Sequence, residues 1–286
     1  MDIKNQVCDL IFLFSHSNKT SGFIRMDTRF WGPSGWRLLH LIAITYEPKN
    51  KRAAKEFFSL LPFILPCKFC RASLAEYMEQ LPIDDALASQ TSLSKWLYEI
   101  HNKVNEKLRG QGILKEANPS FEAVETVYRE RIASGCRRTE FEGWNFLFSI
   151  ASNHPFSRGA KGSSPMPETP PEAMESKDPI VKNRWNIMTP EERMPYYKRF
   201  WACIQDVLPF EEWRSSWRSC KPKLQVVGER KRWMRELWRI RCCLEAKLEL
   251  VNRERFDAVC KKLADHSSGC NKTKRARTCR RITRKK

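Results

Sequence analysis

LSKWLYEIHNKVNEKL, residues 93–108, decides the fold. Leu93, Trp96, Leu97, Ile100, Val104 and Leu108 recur at three- and four-residue spacing, which lines one face of an α-helix; a half-buried strand would alternate instead. Working outward, the same spacing runs through WRLLHLIAI (36–44), AKEFFSLL (54–61), CRASLAEYMEQL (70–81) and FEAVETVYRERI (121–132). Breaks fall at Pro48, at 61–66, at Pro82, at RGQG (109–112) and at NPS (118–120), where Ser120 is placed to cap the next helix. The spacing predicts an all-α bundle from Trp36 to about Arg131, four helices and a short fifth.

The chain of 286 residues is long enough for two domains, and a hydrophobic content of 41% supports a real core. Its formal net charge of +19 predicts attraction to polyanions or acidic proteins without selecting among them. No stretch approaches the run of about 20 apolar residues of a membrane helix; VCDLIFLF (7–14) is short and carries Asp9. The N-terminus lacks the basic region and small-residue cleavage site of a secretory signal. A non-secreted protein is expected, and eleven cysteines then pose a question, because reducing compartments disfavour structural disulfides.

Beyond the bundle, FEGWNFLFSIASNHP (141–155) reads as a helical extension, and the Gly/Ser/Pro-rich stretch 156–188 as a linker. Thr189 and Pro190 open a second helical module, with PFEEWRSSWRSC (209–220) and one long basic helix from about 229 to 265. Trp201, Trp213, Trp217, Trp233 and Trp238 crowd this half as core or interface, with a nucleic-acid stacking platform as the alternative. The last fifteen residues hold nine basic side chains and no acid, a solvated tail with nucleic acid as an available contact. The expected division is a disordered extension at 1–29, the bundle at 30–135, its extension at 136–155, the linker at 156–188, the module at 189–268 and the tail at 269–286. MDTRFWGPSGW (26–36) reads as a natural start at Met26.

PCKFC (66–70) holds the one CxxC. A structural zinc site needs four ligands, normally from two such pairs or one pair with two histidines, so no metal is expected. A thioredoxin-like pair needs a βαβ setting, which the helices deny. There remains a pair opening a helix after Pro66, where unpaired amides and the helix dipole favour a thiolate. Thiol–disulfide exchange, a structural disulfide and inert thiols all stay open on this ground. Nearby, Trp36 and His40 share one helical face, and His101 and Asn105 another, with Trp96 just over a turn away. Flat aromatic walls and convergent polar groups beside a CxxC suit a planar heterocycle, a flavin best, because oxidising dithiols with oxygen needs an acceptor of electron pairs that releases them singly.

Trp31, Trp36, His40 and Tyr46 in W-x4-W-x3-H-x5-Y, then PCKFC, then W-x4-HNxVNxKL resemble the Erv/ALR family of FAD-dependent sulfhydryl oxidases, in order and spacing, over about residues 30–131. WGPSGWRLLH (31–40) and GWNFLFSIASNHP (143–155) look most like the versions encoded by large cytoplasmic DNA viruses. The resemblance implies a helical bundle holding FAD, with Cys70 next to the flavin and Cys67 exchanging with incoming dithiols. Electrons would pass from substrate through the pair to FAD and on to oxygen, giving hydrogen peroxide. Trp36, His40, Tyr46, His101, Asn102, Asn105 and Lys107 fall on positions that would touch FAD. The cysteines that join the HN helix to the next segment in cellular members are absent at Tyr98 and around Glu122, which leaves packing by Phe121 and Tyr128 to hold the adenine end.

Family members relay electrons through a second cysteine pair, for which Cys260 and Cys270 are the candidates, with Cys279 in the tail. Cys136, Cys242 and Cys243 are read as buried thiols. Expected partners are a protein dithiol or thioredoxin-like shuttle, oxygen and a second copy of the chain, and no membrane; the expected location is the host cytoplasm, including virus factories and the virion. The competing reading is a basic, Trp-rich nucleic-acid-binding or virion structural protein with an inactive bundle.

Overall fold

The computed structural model describes residues 27–157, 165–250 and 254–265. The expectations for the N-terminal extension, Cys8, Cys270, Cys279 and the basic tail lie outside the described residues. Five helices form the bundle: α1 (Asp27–Ile44), α2 (Lys51–Ile64), α3 (Lys68–Gln80), α4 (Gln90–Gly110) and α5 (Phe121–Ala133). Helix α4 packs on both α1 and α3, and α5 closes over α1 and α4. Ser89 and Ser92 cap each other's backbone at the head of α4. Ser120 Oγ accepts the Ala123 amide at 3.2 Å, filling one of the donors a helix start leaves open. No strand occurs among the described residues.

Helix α6 (Trp144–Ser152) crosses α1 at two glycines. A Cβ on Gly35 would lie 2.9 Å from the Phe146 ring, and one on Gly143, at φ +107°, would lie 2.6 Å from Leu38. Only glycine permits that approach and that backbone angle. Below the crossing, buried Glu142 pairs with Arg37 at 3.2 Å and with Arg131, so the carboxylate keeps the partners a buried charge requires.

The second half comprises α7 (Pro171–Glu175), α8 (Pro179–Arg184), α9 (Pro190–Val207), α10 (Glu211–Ser219), α11 (Arg230–Lys247) and α12 (Phe256–Asp265). Thr189 and Glu192 build a capping box ahead of α9. This half shares one core with the bundle. Phe57 stacks on Phe200 at 5.5 Å and Phe63 on Tyr196 at 4.0 Å, while Arg199 grips Glu56 with two bonds of 2.7 Å. The cause lies in α2, whose buried Ala54, Phe57, Phe58, Leu60, Leu61, Phe63 and Ile64 form a broad apolar arc opposite exposed Lys51, Arg52 and Lys55. So wide an apolar arc needs more cover than one neighbouring face provides, and α9 packs on the part that the bundle leaves open.

Three expectations change. Residues 165–188 are not a bare linker, because α7 and α8 lie in them and α8 packs on α3. The long helix expected over 229–265 is interrupted: Glu249 takes a left-handed φ of +57°, the Leu250 amide reaches back to the Glu245 carbonyl at 2.7 Å, and Leu250 drops into the core. That is a Schellman stop with glutamate where glycine is usual. Cys243 is no thiol, since it forms a disulfide with Cys220 at the end of α10, where the two Cα atoms stand 5.9 Å apart. Cys136 is buried and Cys242 half-buried. Trp201, Trp213, Trp217 and Trp233 are at most 1% exposed, so they are core rather than a stacking platform.

Candidate active site

Pro66 decides the local geometry of the CxxC. Proline carries no amide hydrogen, so the Pro62 carbonyl four residues back loses its helical donor, and α2 ends on the bond from Leu65 N to Leu61 O at 3.2 Å. Side chains replace the missing donors. Asn183 Nδ2 donates to Pro62 O at 2.9 Å, Arg193 Nη1 to Phe63 O at 3.3 Å, and Arg71 Nη1 to Leu65 O at 2.8 Å. The other arm of Arg71 donates to Asn186 Oδ1 at 2.7 Å. Burial, and then the charge of Arg71 nearby, holds the Arg193 guanidinium well below its ordinary pKa. Cys67 occupies the cap position of α3 with extended backbone angles and is buried; its carbonyl accepts the Arg71 amide at 3.0 Å.

One turn into α3, Cys70 forms part of the wall of an apolar cavity among α1, α3 and α4. The cavity is narrow, with a volume of about 110 Å³, under the range of about 300–1,000 Å³ usual for sites that hold sizeable ligands. Trp31, Gly32, Trp36 and Leu39 line it from α1, Phe58 and Leu61 from α2, Ser73, Leu74, Tyr77 and Met78 from α3, and Trp96, Ile100, Val104, Lys107 and Leu108 from α4. Phe146 of α6 completes the wall. A Cβ on Gly32 would meet no atom within 4 Å, so this glycine leaves open space inside the wall. Lys107 Nζ, the cation in the lining, donates to Ser73 Oγ.

Trp36 is shared between the cavity and an aromatic cluster behind it. Its indole stacks on the His101 ring at 3.8 Å, His101 Nδ1 and His40 Nε2 share a hydrogen bond of 3.1 Å, and His40 stacks on Tyr128 at 5.0 Å. Burial pushes the His40 pKa down to about 3 and carries His101 well below the usual histidine range, with His40 adding to the effect. Both imidazoles are therefore neutral at ordinary pH, one donating and one accepting.

The residues singled out in the sequence divide by place. Trp36, Cys70 and Lys107 line the cavity; Cys67 stands outside its walls; His40 and His101 back Trp36. Asn105 lies beyond them, its Nδ2 donating to Asn118 Oδ1 at 3.1 Å in the loop after α4, and half-buried Asn102 forms no part of the lining. Phe121 packs edge-on against Tyr98. Tyr46 departs from expectation: it is buried away from the cavity lining, and its hydroxyl donates to the Leu87 carbonyl at 2.9 Å, so core packing holds it. Cys260 is half-buried on α12, where burial raises its thiol pKa, and its proposed partner Cys270 lies outside the described residues. Ser73 and Tyr77 were missed, although their spacing of three and seven from Cys70 puts them on its face of α3. Gly32 and Phe146 carry no signal that periodicity could reveal.

The Erv1/Alr family model matches residues 33–123, which hold the CxxC and the wall residues of α2, α3 and α4. Over 101 residues the chain is 32% identical to a putative FAD-linked sulfhydryl oxidase of Invertebrate iridescent virus 6, covering 32% of this chain and 90% of that protein. The chain belongs to the Erv1/Alr family. Another Erv1/Alr relative, a probable FAD-linked sulfhydryl oxidase of Acanthamoeba polyphaga mimivirus, is 34% identical over 28% of this chain and 59% of its own length. The mitochondrial FAD-linked sulfhydryl oxidase of Saccharomyces cerevisiae is 35% identical over 29% of this chain and 45% of its own length. The chain thus spans about half the length of these last two relatives. No solved structure matches this Erv1/Alr chain.

Proposed function

We propose that this chain is a FAD-dependent sulfhydryl oxidase that forms disulfides in protein substrates and uses oxygen as the final acceptor. One observation carries the reading: Cys70 lies in the wall of the Trp-lined cavity, whereas Cys67, three residues earlier, lies outside it. A pair split in this way can take electrons on one side and deliver them on the other.

The residues fit FAD. The cavity is apolar with flat indole walls, Gly32 leaves room within it, and Lys107 offers a cation for phosphate or for a ring bearing negative charge. Trp36, Cys70, Ser73, Tyr77 and Lys107 would hold the group, and the neutral His40–His101 pair keeps the Trp36 plane fixed without adding charge. When bound, FAD supplies the acceptor for one electron pair and the route onward to oxygen, which leaves as hydrogen peroxide.

The protein's own steps balance as thiol–disulfide exchange. A substrate thiolate attacks Cys67 Sγ in the oxidised pair; the new bond joins substrate sulfur to Cys67, and the bond to Cys70 breaks with Cys70 leaving as a thiolate at the cavity. The second substrate thiolate then attacks the first substrate sulfur and expels Cys67. The substrate departs oxidised, with its two electrons left on Cys67 and Cys70 and its two thiol protons released to solvent. Half-buried Cys70 holds that charge in the first turn of α3, where the helix dipole favours it.

Visible absorption of the purified chain, recorded before and after a dithiol is added in air with oxygen uptake followed in the same cell, tests this. A yellow protein that bleaches and consumes oxygen is expected, and Cys67→Ser keeps the colour while losing turnover. A colourless chain that takes up no added FAD would refute the proposal.

A further inference from the structure

The family match ends at residue 123, yet three of the side chains that hold the turn bearing Cys67 come from residues 183–193. We propose that Asn183, Asn186 and Arg193 are positioning residues for exchange at Cys67, so that the C-terminal half completes the redox centre. This rests on the oxidase reading above.

The turn between α2 and α3 has little backbone bonding of its own. Pro66 removes the donor for Pro62 O, and the Phe63 and Leu65 carbonyls likewise lie at the end of the ladder. All three are held by side chains, two of which, Asn183 and Arg193, lie beyond the family match; the third, Arg71, is itself fixed by Asn186. Asn183 and Asn186 are 1% and 2% exposed, too buried to serve as surface polar residues. Asn186 adopts a left-handed φ of +55°, a conformation asparagine tolerates better than most residues, and it bonds back to the Asn183 carbonyl at 3.1 Å. The segment is tied along α3 at both ends: Lys68 Nζ donates to Pro165 O at 3.4 Å and Arg184 to Glu79 at 3.2 Å. Met166 N closes it onto Trp185 O at 3.0 Å.

Such a clamp matters for chemistry because the ease of closing the Cys67–Cys70 bond depends on how well the two sulfurs are held together, which is an effective concentration. A loose turn lowers that concentration and leaves the dithiol less willing to close. Attack at Cys67 also requires its sulfur to present one direction to an incoming thiolate, which a wandering cap residue does not.

The test uses the full FAD-loaded chain and its Asn186→Ala, Arg193→Gln and Arg193→Lys variants. Arg199→Gln serves as a control, because it removes an α9–α2 ion pair away from the turn. The potential of the Cys67–Cys70 pair is measured anaerobically against defined dithiothreitol mixtures, with the thiols trapped by alkylation and read by mass. FAD content, unfolding midpoint, kcat and KM are recorded alongside. For Asn186→Ala and Arg193→Gln we expect a tenfold loss in the equilibrium constant for closing the disulfide, a shift of about 30 mV to less negative potential, and a fall in kcat at constant FAD content. Arg193→Lys recovers both, and Arg199→Gln lowers the midpoint without moving the potential. If Asn186→Ala does not fold, the half-buried Arg193 pair of variants decides the matter. An unchanged potential and kcat in Arg193→Gln, or the same shift in Arg199→Gln, overturns the proposal. A wild-type chain without FAD or exchange instead overturns the oxidase reading beneath it.

Discussion

Lowering the pH should destabilise this protein through its histidine pair, buried His40 and half-buried His101. His40 is 5% exposed, stacks on Tyr128 and shares a hydrogen bond with His101, and its pKa lies at about 3 against about 6.5 for a free histidine. The unfolded chain takes up that proton near the free value, while the folded chain refuses it until about pH 3. The stabilisation is therefore complete above the unfolded pKa and is lost as pH falls from there toward the folded one. Each unit in that window removes about 1.4 kcal/mol, so two units remove about 3 kcal/mol from His40 alone, a large share of a typical stability of about 5–15 kcal/mol. His101, depressed in the same direction, adds to the slope. Urea unfolding of the flavin-saturated chain from about pH 7.5 to about pH 4.5, beside His40→Gln, isolates the effect because the carboxylates common to both proteins cancel. The wild type should fall more steeply than the variant by about 1.4 kcal/mol per pH unit. Equal slopes would mean that His40 titrates like a solvent-exposed group and would refute the neutral pair behind Trp36.

Other consequences can be measured directly. Gly32→Leu sends a branched side chain into space where a Cβ meets nothing within 4 Å, so the ratio of flavin to protein absorbance should fall several-fold while the helical circular dichroism is kept. Gly143→Ala places a methyl 2.6 Å from Leu38 at φ +107°, and should cost about 1–3 kcal/mol in urea unfolding through strain and overpacking. Cys243→Ser opens a cross-link spanning 23 residues and should lower stability by roughly 3 kcal/mol, with dithiothreitol-treated wild type falling to the same midpoint.

Much of this architecture was legible because its causes are local. The spacing in 93–108 gave α4, Ser120 and Thr189 announced the helices that follow them, and Pro66 marked where α2 must stop. What stayed hidden is long-range. The stretch 165–188 has the composition of a linker, and its order comes from Asn183 reaching Pro62 and Asn186 reaching Arg71, more than a hundred residues away. Glu249 ends a helix in a place where glycine would have given notice. The partner of Cys243 is set by how α10 meets α11, which no spacing of cysteines encodes. At the site, Trp36, Cys70 and Lys107 could be read from a resemblance in motif, whereas Tyr46 belonged to the same pattern and yet faces Leu87 in the core.

The bond between Cys220 and Cys243 has a practical bearing on how this protein is handled. Dithiothreitol, the convenient laboratory substrate for a thiol oxidase, is also a reagent against the scaffold, because it cannot distinguish a bond meant to turn over from one meant to stay. Cys220 is 3% exposed but Cys243 is only half-buried, so attack falls on the Cys243 sulfur. Prolonged assays at high reductant should therefore show a rate that starts full and decays as that bond is reduced, a decline easily mistaken for loss of cofactor and avoidable with a bulky protein dithiol.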